Sequence, residues 1–334
     1  MSDELITLAH GSGGRKMQEL IEDVFRPAFG EGDIGVNDSA LLEPATGKLA
    51  FTTDSFTVQP LFFPGGNIGS LAVNGTVNDL LTRGARPRWL SCGFILEEGL
   101  PFPTLRTIVT TLAEEAERAG ARIVTGDTKV VQRGAADGLF INTAGVGEIL
   151  CDPVPDARRL APGQALLLTG PVGDHTIALF SVREGFQFET ALESDCRPLT
   201  GLLPLFEENY PLIALRDPTR GGLAAVLSEF AQVGSVGIEL DRASAPVRPE
   251  VEAACGLLGL DPLYLPCEGQ MVLVAPEEGA EALLARLKDG LGFPEAALFG
   301  HTTAQWSGKV ILEGEFGVKR ILPQPAADPL PRIC

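Results

Sequence analysis

Residues 103–129 read Pro-Thr-Leu-Arg-Thr-Ile-Val-Thr-Thr-Leu-Ala-Glu-Glu-Ala-Glu-Arg-Ala-Gly-Ala-Arg-Ile-Val-Thr-Gly-Asp-Thr-Lys. Apolar side chains recur every three or four residues along the first part and stop before Gly120, which predicts an amphipathic helix over residues 103–120. Apolar runs at 121–125 and 139–147 predict the two strands that follow. This alternation of helix and strand predicts a first domain of mixed α/β class over residues 1–150.

The rest of the chain resumes the alternation after a proline-rich connection at residues 152–163. An apolar strand at 165–170 is followed by further helices and strands, which predict a second α/β domain over residues 151–320. The chain is therefore expected to hold two α/β domains of ordinary size, because its length is ample for two hydrophobic cores.

A tail of unusual composition follows at residues 321–334, with four prolines in fourteen residues and Cys334 at its end. Proline fixes φ and removes an amide donor, so we expect the tail to be extended, neither helical nor part of a central strand. One interpretation is a swinging arm that carries a thiol between sites. The alternative is a frayed end with an incidental cysteine.

The bulk composition excludes several classes of function. The 334 residues carry a net charge of −18, whereas nucleic acids and anionic membranes need clustered Lys and Arg, so neither is expected as a partner. No apolar run is long enough to span a membrane, and the first residues do not resemble a secretory signal. The six scattered cysteines include no Cys-x-x-Cys pair, which argues against zinc and disulfide frameworks and favours a cytoplasmic location.

Four aspartates are flanked by Gly, Asn, Ser or Thr at loops or element ends: Asp38, Asp54, Asp79 and Asp127. Each alone could be a turn residue. If they converge, however, their like charges need cations, and hard oxygen ligands without His or Cys suit Mg²⁺ bridging carboxylates and nucleotide phosphates. The hypothesis from the residues is an enzyme that uses ATP and Mg²⁺ without a Walker motif.

Two further stretches could bind phosphate through backbone amides. The first is the loop of Gly11, Gly13 and Gly14 before a predicted helix, for which a flexible turn is an equal alternative. The second is Asp217-Pro-Thr-Arg-Gly-Gly222, where Asp217 is expected to cap a helix that starts at Pro218. Its candidate contacts to a nucleotide are Thr219, Arg220 and Gly221.

A polar stripe is expected on the helix predicted over residues 67–83. Asn74 and Asn78 lie four residues apart on one face, and Asp79 follows. Asparagine is a poor helix former, so two of them in an apolar helix indicate a polar site, with Asn78 as a candidate for contact with the nucleotide.

Short motifs with a common pattern are spread over nearly the whole chain. They are His10-Gly-Ser-Gly-Gly, Asn37-Asp-Ser-Ala, Thr53-Asp-Ser-Phe, Asn78-Asp-Leu, Ser91-Cys-Gly-Phe-Ile-Leu-Glu-Glu-Gly, Val124-Thr-Gly-Asp-Thr-Lys-Val-Val, Asp217-x-Thr-Arg-Gly-Gly, Glu268-Gly and Pro331-Arg-Ile-Cys. Together they resemble the HypE family of hydrogenase maturation factors, in the superfamily of aminoimidazole ribonucleotide synthetase, selenophosphate synthetase and thiamine-monophosphate kinase. Most of the motifs are shared across the superfamily, and the Pro-Arg-Ile-Cys end is specific to the HypE family.

The resemblance implies a reaction. The carbamoyltransferase HypF places a carbamoyl group on Cys334, and the tail enters the ATP site. The amide oxygen attacks the γ-phosphate, and loss of phosphate leaves a thiocyanate. The cyano group then passes to iron on a HypC–HypD scaffold, as a ligand of the [NiFe] site.

The resemblance also implies roles and a fold. The four aspartates match the superfamily's magnesium and nucleotide positions, Lys129 is a candidate phosphate contact, and Glu268 is a candidate base, although both could be structural. Where relatives often carry Asn-Glu-Gly-Lys, this chain has Cys267-Glu-Gly-Gln270, which removes a basic residue. The implied fold is PurM-like: a first domain that forms a dimeric β-barrel in a homodimer, and a mixed sheet with helices on one side in the second. The nucleotide is expected between the domains or along the dimer interface.

Two alternatives stay open. Selenophosphate synthetase uses a cysteine or selenocysteine near its N-terminus, whereas this chain has no cysteine before Cys92. A non-enzymatic thiol carrier or scaffold would keep the tail without needing ATP, but it would not need the four aspartates.

Overall fold

The computed structural model describes residues 5–12, 14–30, 39–43, 47–183, 192–326 and 332–334. Gly13 and Asp38, both candidates for the nucleotide site, lie outside these ranges, as do residues 327–331 of the tail. Among the described helices, none is long and apolar enough to cross a membrane.

The first domain is a four-stranded sheet with two long helices on one face. The strands of the domain are β1 (Leu49–Phe56), β2 (Phe62–Phe63), β3 (Gly66–Asn67), β4 (Ala85–Glu97), β5 (Arg122–Val131) and β6 (Leu139–Ile149), of which β2 and β3 pair only with each other. Its helices are α1 (Arg15–Leu20), α2 (Arg26–Phe29), α3 (Ile68–Thr82) and α4 (Phe102–Arg118). The order in the sheet is β1-β6-β4-β5, with β4 and β5 parallel and the other pairs antiparallel. The helix and strands predicted over residues 103–147 are confirmed.

Helix α3 is buried on nearly all sides because it lies between this sheet and the second domain. It begins after Asn67, whose side chain accepts a hydrogen bond from the Gly69 amide at 2.7 Å. Gly75 allows a close approach to β1, since a Cβ there would lie 2.9 Å from the Phe56 ring. The C-terminal half of α3 is thereby held against β1.

The second domain is a seven-stranded mixed sheet. Its strands are β7 (Gln164–Leu168), β8 (Ala214–Arg216), β9 (Gly237–Asp241), β10 (Val272–Pro276), β11 (Ala297–Thr303), β12 (Val310–Glu313) and β13 (Lys319–Ile321), and its helices are α5 (Asp174–Arg183), α6 (Leu203–Glu207), α7 (Gly222–Gly234), α8 (Pro249–Leu258) and α9 (Ala280–Gly290). The order is β13-β12-β9-β11-β7-β10-β8, with β9 and β12 parallel. We propose residue 150 as the limit between the domains, since it follows directly on β6, the last strand of the first sheet. The expected limit of the second domain at residue 320 falls inside β13, so the tail leaves the sheet after Ile321.

Helices cover both faces of this sheet, not one face as expected. All five residues of β7 are buried, so both of its faces need apolar cover. Leu167 joins a cluster with residues of α5, α8 and α9, while Leu166 and Leu168 join a second cluster with α7. The first cluster continues into the first domain, so the two domains share one apolar core.

The expected cap of α7 is wrong, because the helix begins four residues later, at Gly222. Gly221 and Gly222 have φ values of +72° and +61°, and a chain with this left-handed turn cannot continue a helix from Pro218. Asp217 is therefore not an N-cap. It lies in the loop between β8 and α7, where its side chain is buried.

A matched pair of leucines tests the packing of α3. Leu71 has no exposed surface, so Leu71→Ala should lower the free energy of unfolding by about 2–5 kcal/mol through lost burial and a residual cavity. Leu257→Ala makes the same chemical change at a helical position that is 83% exposed and should cost less than about 0.5 kcal/mol. Urea unfolding followed by circular dichroism measures both, and equal losses would contradict the buried position of α3.

Candidate active site

A cavity of about 540 Å³ opens between the two domains and is lined by carboxyl groups from both of them. Asp54 and Asp79 come from the first domain, and Asp217 and Glu268 from the second. Cys334 of the tail lines the same cavity. Its volume lies within the range of small-molecule sites, so it can hold a substrate beside the thiol.

The alternation of side chains along β1 places the first two carboxyl groups. Thr52 and Asp54 lie on the face of the sheet that α3 covers, two residues apart. The Thr52 hydroxyl donates a hydrogen bond to Asp79 Oδ2 at 2.7 Å, and the Ser55 amide donates to Asp54 Oδ1 at 2.8 Å. Asp79 reaches the cavity from the C-terminal half of α3.

Burial raises the pKa of all four carboxyl groups, and the charges of acidic neighbours raise it further at every one except Asp54. Burial is the largest cause at Asp54 and at Asp79, and the Asp54 charge raises the pKa of Asp79 further. Burial and then the Asp79 charge raise the pKa of Asp217 to about 7. The pKa of Glu268 is raised well above its ordinary value by burial and then by its acidic neighbours. The cavity therefore favours protons or added cations.

Hydrogen bonds hold the main chain of the loop that carries Glu268, whereas one oxygen of the Glu268 side chain has no hydrogen-bond partner among the described residues. The Glu268 amide donates to Asp195 Oδ1 at 3.1 Å, and the Glu268 carbonyl accepts from Asn78 Nδ2 at 3.4 Å. Glu268 Oε1 is buried without a hydrogen-bond partner among the described residues. Such an orphaned oxygen needs a proton or a cation, which makes this side chain fit for a bound ion or a substrate N–H.

Basic and hydroxyl groups lie at the same cavity. Thr219 and Arg220 line it, and Arg220 forms a weak ion pair with Asp54 at 3.5 Å. Over the described residues, no three ligand-type side chains are close enough to hold a metal ion by themselves. Mg²⁺ usually takes one or two carboxylates together with substrate phosphates, so this donor set fits an ion that arrives with a nucleotide.

Asp127 and Lys129 lie in another part of the structure, away from this cavity. They are on β5, at the opposite edge of the sheet from β1, with three strand spacings or about 14 Å between the edges. Asp127 pairs with Gly93 across the sheet, whereas Asp54 belongs to the neighbouring row, so the two side chains point to opposite faces. Asp127 instead pairs with Lys129 at 3.2 Å.

The glycine loop lies beside the same edge strand. A Cβ at Gly11 would lie 2.6 Å from the Val130 amide of β5, which explains the glycine by close approach of two backbones. Gly14 precedes α1 and has open space around it. Gly11, Gly14, Asp127 and Lys129 thus form a second group, on one edge of the sheet and away from the cavity of the same chain.

Asn78 faces the second domain rather than the cavity. Its Oδ1 accepts from the Leu199 amide at 2.9 Å, and its Nδ2 donates to the Arg197 carbonyl at 3.1 Å. The polar stripe expected on α3 therefore exists and ties the domains together. A contact of Asn78 with a nucleotide stays a prediction, as do the roles of Gly221 and of the other candidate residues.

The end of the tail lies at the cavity. The Cys334 main-chain oxygen accepts hydrogen bonds from the Thr57 amide at 3.0 Å and the Thr57 hydroxyl at 3.3 Å. Ile333 is buried in the shared core, and the Arg332 side chain donates to the Thr57 carbonyl at 3.0 Å. The thiol-bearing residue thus lies in the same cavity as the carboxyl groups.

Several residues of this site escaped the sequence reasoning. The sequence predicts a helix cap at Asp217. It gives no indication of Asp195, which binds the Glu268 amide, of Thr57, which binds Cys334, or of His175, whose Nε2 lies 2.9 Å from the Ile333 carbonyl oxygen. The one indication of a functional role for Asp217 is its place in a motif with two glycines. In such a motif the sequence does not distinguish a buried acidic side chain from a helix cap. Asp195 and His175 carried no local signal, because their contacts are with residues distant in sequence.

Comparison with known proteins identifies the class. Sequence models of the AIR synthase related protein match twice, its N-terminal domain over residues 36–149 and its C-terminal domain over residues 161–313. These matches cover most of the chain and coincide with the two sheets. The chain therefore belongs to the AIR synthase related family.

Within that family the chain is a member of the HypE group. Carbamoyl dehydratase HypE of Escherichia coli (strain K12) is 49% identical over 335 residues, which cover 98% of this chain and 99% of that protein. The crystal structure of hydrogenase maturation protein HypE in complex with ATP has a TM-score of 0.92 at 46% identity, covering 98% of this chain and 99% of that one. A chain of a HypE–HypF complex has a TM-score of 0.81 at 42% identity, covering 92% and 99%.

The raised pKa of Asp217 predicts a pH-dependent stability of the metal-free protein. Between about pH 4 and 7 the folded state keeps a proton that the unfolded state has lost, so stability falls as pH rises through the folded pKa of about 7. Asp217→Asn removes this loss and should be more stable than the parent by at least about 1 kcal/mol at pH 8, and by less at pH 5.

Urea unfolding in EDTA at both pH values measures this difference. Asp289→Asn is the matched control, because Asp289 is an exposed aspartate of α9. A gain for Asp217→Asn that is the same at pH 5 and pH 8 would contradict the assignment of a buried, protonated carboxyl group.

Proposed function

We propose that the chain is an ATP-dependent carbamoyl dehydratase of [NiFe]-hydrogenase maturation that acts on a carbamoyl group carried by its own Cys334. The observation that carries the proposal is the position of Cys334 in the wall of the cavity that Asp54, Asp79, Asp217 and Glu268 line. The names of the HypE relatives, and the ATP complex among them, support the substrate and the nucleotide.

The reaction requires an amide oxygen to become a leaving group. In the first step the carboxamide oxygen on the Cys334 sulfur attacks the γ-phosphorus of ATP, the bond to the ADP oxygen breaks, and one N–H proton leaves. In the second step the C–O bond breaks, inorganic phosphate departs, and loss of the other N–H proton leaves S–C≡N. Phosphorylation supplies the driving force, since phosphate leaves far more readily than hydroxide.

The four carboxyl groups suit the first step when a cation is present. Asp54 and Asp79 would hold Mg²⁺ together with the nucleotide phosphates, and the ion would neutralise charge on the transferring phosphoryl group. Asp38 is a further candidate from the resemblance. Thr219 and Arg220 line the cavity where phosphate oxygens would lie, next to the turn at Gly221.

Glu268 is the base that this proposal assigns to the amide protons. A buried carboxylate with a raised pKa is a stronger base than an exposed one, and its unpartnered Oε1 can accept an N–H. Gln270 stands where relatives are expected to have lysine. Its side chain accepts a hydrogen bond from the Thr169 hydroxyl at 2.9 Å, so the amide has a structural role of its own.

The partners follow from the chemistry of the arm. The carbamoyl donor is HypF, which the relative's complex supports, and the acceptor of the cyano group is an iron site on HypC–HypD. The thiol must therefore leave the cavity for both exchanges. A proline-rich segment suits this task, because it extends about 3.1 Å per residue where it adopts polyproline II and it resists collapse.

A homodimer would bring the second group of residues to the cavity. No described helix covers the other face of the four-stranded sheet. This face exposes Phe51 and Leu49 of β1, with Phe51 71% exposed, and carries Asp127 and Lys129 on β5. Apolar side chains on an open sheet face need a partner. If a second copy covers this face, its Asp127 and Lys129 could approach the phosphates bound beside Asp54, and the two sheets would close into a barrel.

Mass spectrometry of the C-terminal peptide tests the reaction. With HypF, carbamoyl phosphate and ATP, Cys334 should gain about 43 Da for the carbamoyl group, which should then become about 25 Da for the thiocyanate. Without ATP the first species should accumulate. Cys334→Ala should show neither shift, and its modification to the same extent as the parent would rule out the tail as the carrier.

Mixed dimers test the shared site. Asp79→Asn and Asp127→Asn should each abolish thiocyanate formation. When the two variants are co-expressed in equal amounts, half of the dimers should be mixed, and each mixed dimer should restore one complete site, so about a quarter of the parental activity returns. Activity no higher than that of either single variant would show that Asp127 does not serve the partner's cavity.

A further inference from the structure

The last three residues lie in a socket made mainly by α5 and by the residues after β1. Arg183 donates a hydrogen bond to the Arg332 carbonyl at 2.6 Å, and Thr57 donates to the Cys334 main-chain oxygen. Between them, His175 Nε2 lies 2.9 Å from the Ile333 carbonyl oxygen. These contacts reach the main chain of the tail, so they do not depend on what the sulfur carries.

The contact at His175 is the most enclosed of this set. His175 is 0% exposed and Ile333 is 2% exposed, whereas the contacts of Arg183 and Arg332 are only partly buried. Phe63 stands edge-on to the imidazole ring with the ring centres 5.3 Å apart. Water cannot replace a hydrogen bond lost here, so its loss costs more than the loss of an exposed one.

The hydrogen-bond network determines which ring nitrogen holds the proton. A carbonyl oxygen can only accept, so His175 Nε2 must donate to Ile333. Burial lowers the pKa of His175, so the ring is neutral and Nδ1 is an acceptor. The Ser194 hydroxyl lies 2.8 Å from Nδ1 and donates to it, while the Ser194 oxygen accepts from the Cys196 amide at 3.0 Å.

The same short segment also fixes the Glu268 loop. Ser194 contacts the imidazole, and the adjacent Asp195 accepts from the Glu268 amide at 3.1 Å. Two charged groups act on the ring, Asp195 and Arg183, with opposite effects on its protonation. His175 is therefore connected, through the segment of Ser194 and Asp195, to the loop that carries Glu268, the proposed base.

We propose that His175 is the positioning residue that docks the tail: its Nε2–H holds the Ile333 carbonyl and so places the next residue, Cys334, in the cavity beside Glu268. The use of the docked thiol rests on the proposed function, whereas the docking itself does not.

Two substitutions distinguish the roles of the two ring nitrogens of His175. In His175→Gln the side-chain amide can reach the position of Nε2 and donate to Ile333. In His175→Asn the shorter amide sits near the position of Nδ1, which keeps the contact with Ser194 and withdraws the donor from the tail. Docking should survive in His175→Gln and be lost in His175→Asn.

Alkylation of the full-length chain by iodoacetamide measures docking without ATP or a carbamoyl donor. Cys334 is half-buried when docked, so His175→Asn should raise its alkylation rate about five- to a hundredfold, as expected for loss of a buried hydrogen bond. His175→Gln should stay near the parental rate. Peptide mass spectrometry reads the rate at each cysteine.

Buried cysteines provide the control for misfolding. Cys92, Cys255 and Cys267 are each at most 1% exposed and should react only when the protein opens. A general loss of structure would accelerate all of them, whereas release of the tail accelerates Cys334 alone. An unchanged Cys334 rate in a folded His175→Asn protein would overturn the proposal.

Nitrogen NMR of the unsubstituted protein gives a second readout that requires no change at His175. The chain has three histidines, so their imidazole signals can be assigned. His175 should show a neutral ring protonated at Nε2, and a chain that ends at residue 331 should lose or shift this signal. A His175 signal that is indifferent to removal of residues 332–334 would also overturn the proposal.

Discussion

The constraint on which the structure depends is the burial of four carboxyl groups in one cavity. Burial opposes ionisation of all four groups, and the charges of acidic neighbours oppose it further at every one except Asp54. The rest of the fold must therefore hold together an arrangement that is unfavourable by itself. An apolar core that continues from one domain into the other supplies this stability. The same repulsion makes the cavity receptive to a cation, as expected of a site that trades stability for function.

The sequence predicted well those features that depend on local pattern. The helix at 103–120 and the two strands that follow it depend on residues within a few positions of each other, and these predictions are confirmed. The predicted cap at Asp217 is wrong, because the sequence Asp-Pro before a helix is the same whether the carboxyl group accepts from a helix amide or lines a cavity. Only the contact between domains distinguishes the two cases, and such contacts join residues more than a hundred positions apart.

Strand order limited the prediction of the site in a similar way. The resemblance places the motifs around Asp54 and Asp127 at one site, but a sequence does not state that β1 and β5 occupy opposite edges of the sheet. Nor does it state the register that turns the two side chains to opposite faces. A separation of three strands within one chain is therefore a property of the topology, and it is the reason why the proposed shared site includes a second copy of the chain.

The tail shows why docking and release can both be accessible. The described contacts of its last three residues include five hydrogen bonds at roughly 1 kcal/mol each and one buried isoleucine at about 2 kcal/mol. Ordering three residues costs about 1–2 kcal/mol each for the backbone and somewhat more for side chains. The two sums differ by a few kcal/mol at most, so a single enclosed contact is enough to decide between the docked and the released arm. The proposed function requires such a near balance, since tighter docking would keep the thiol in the cavity and prevent its exchange with partner proteins.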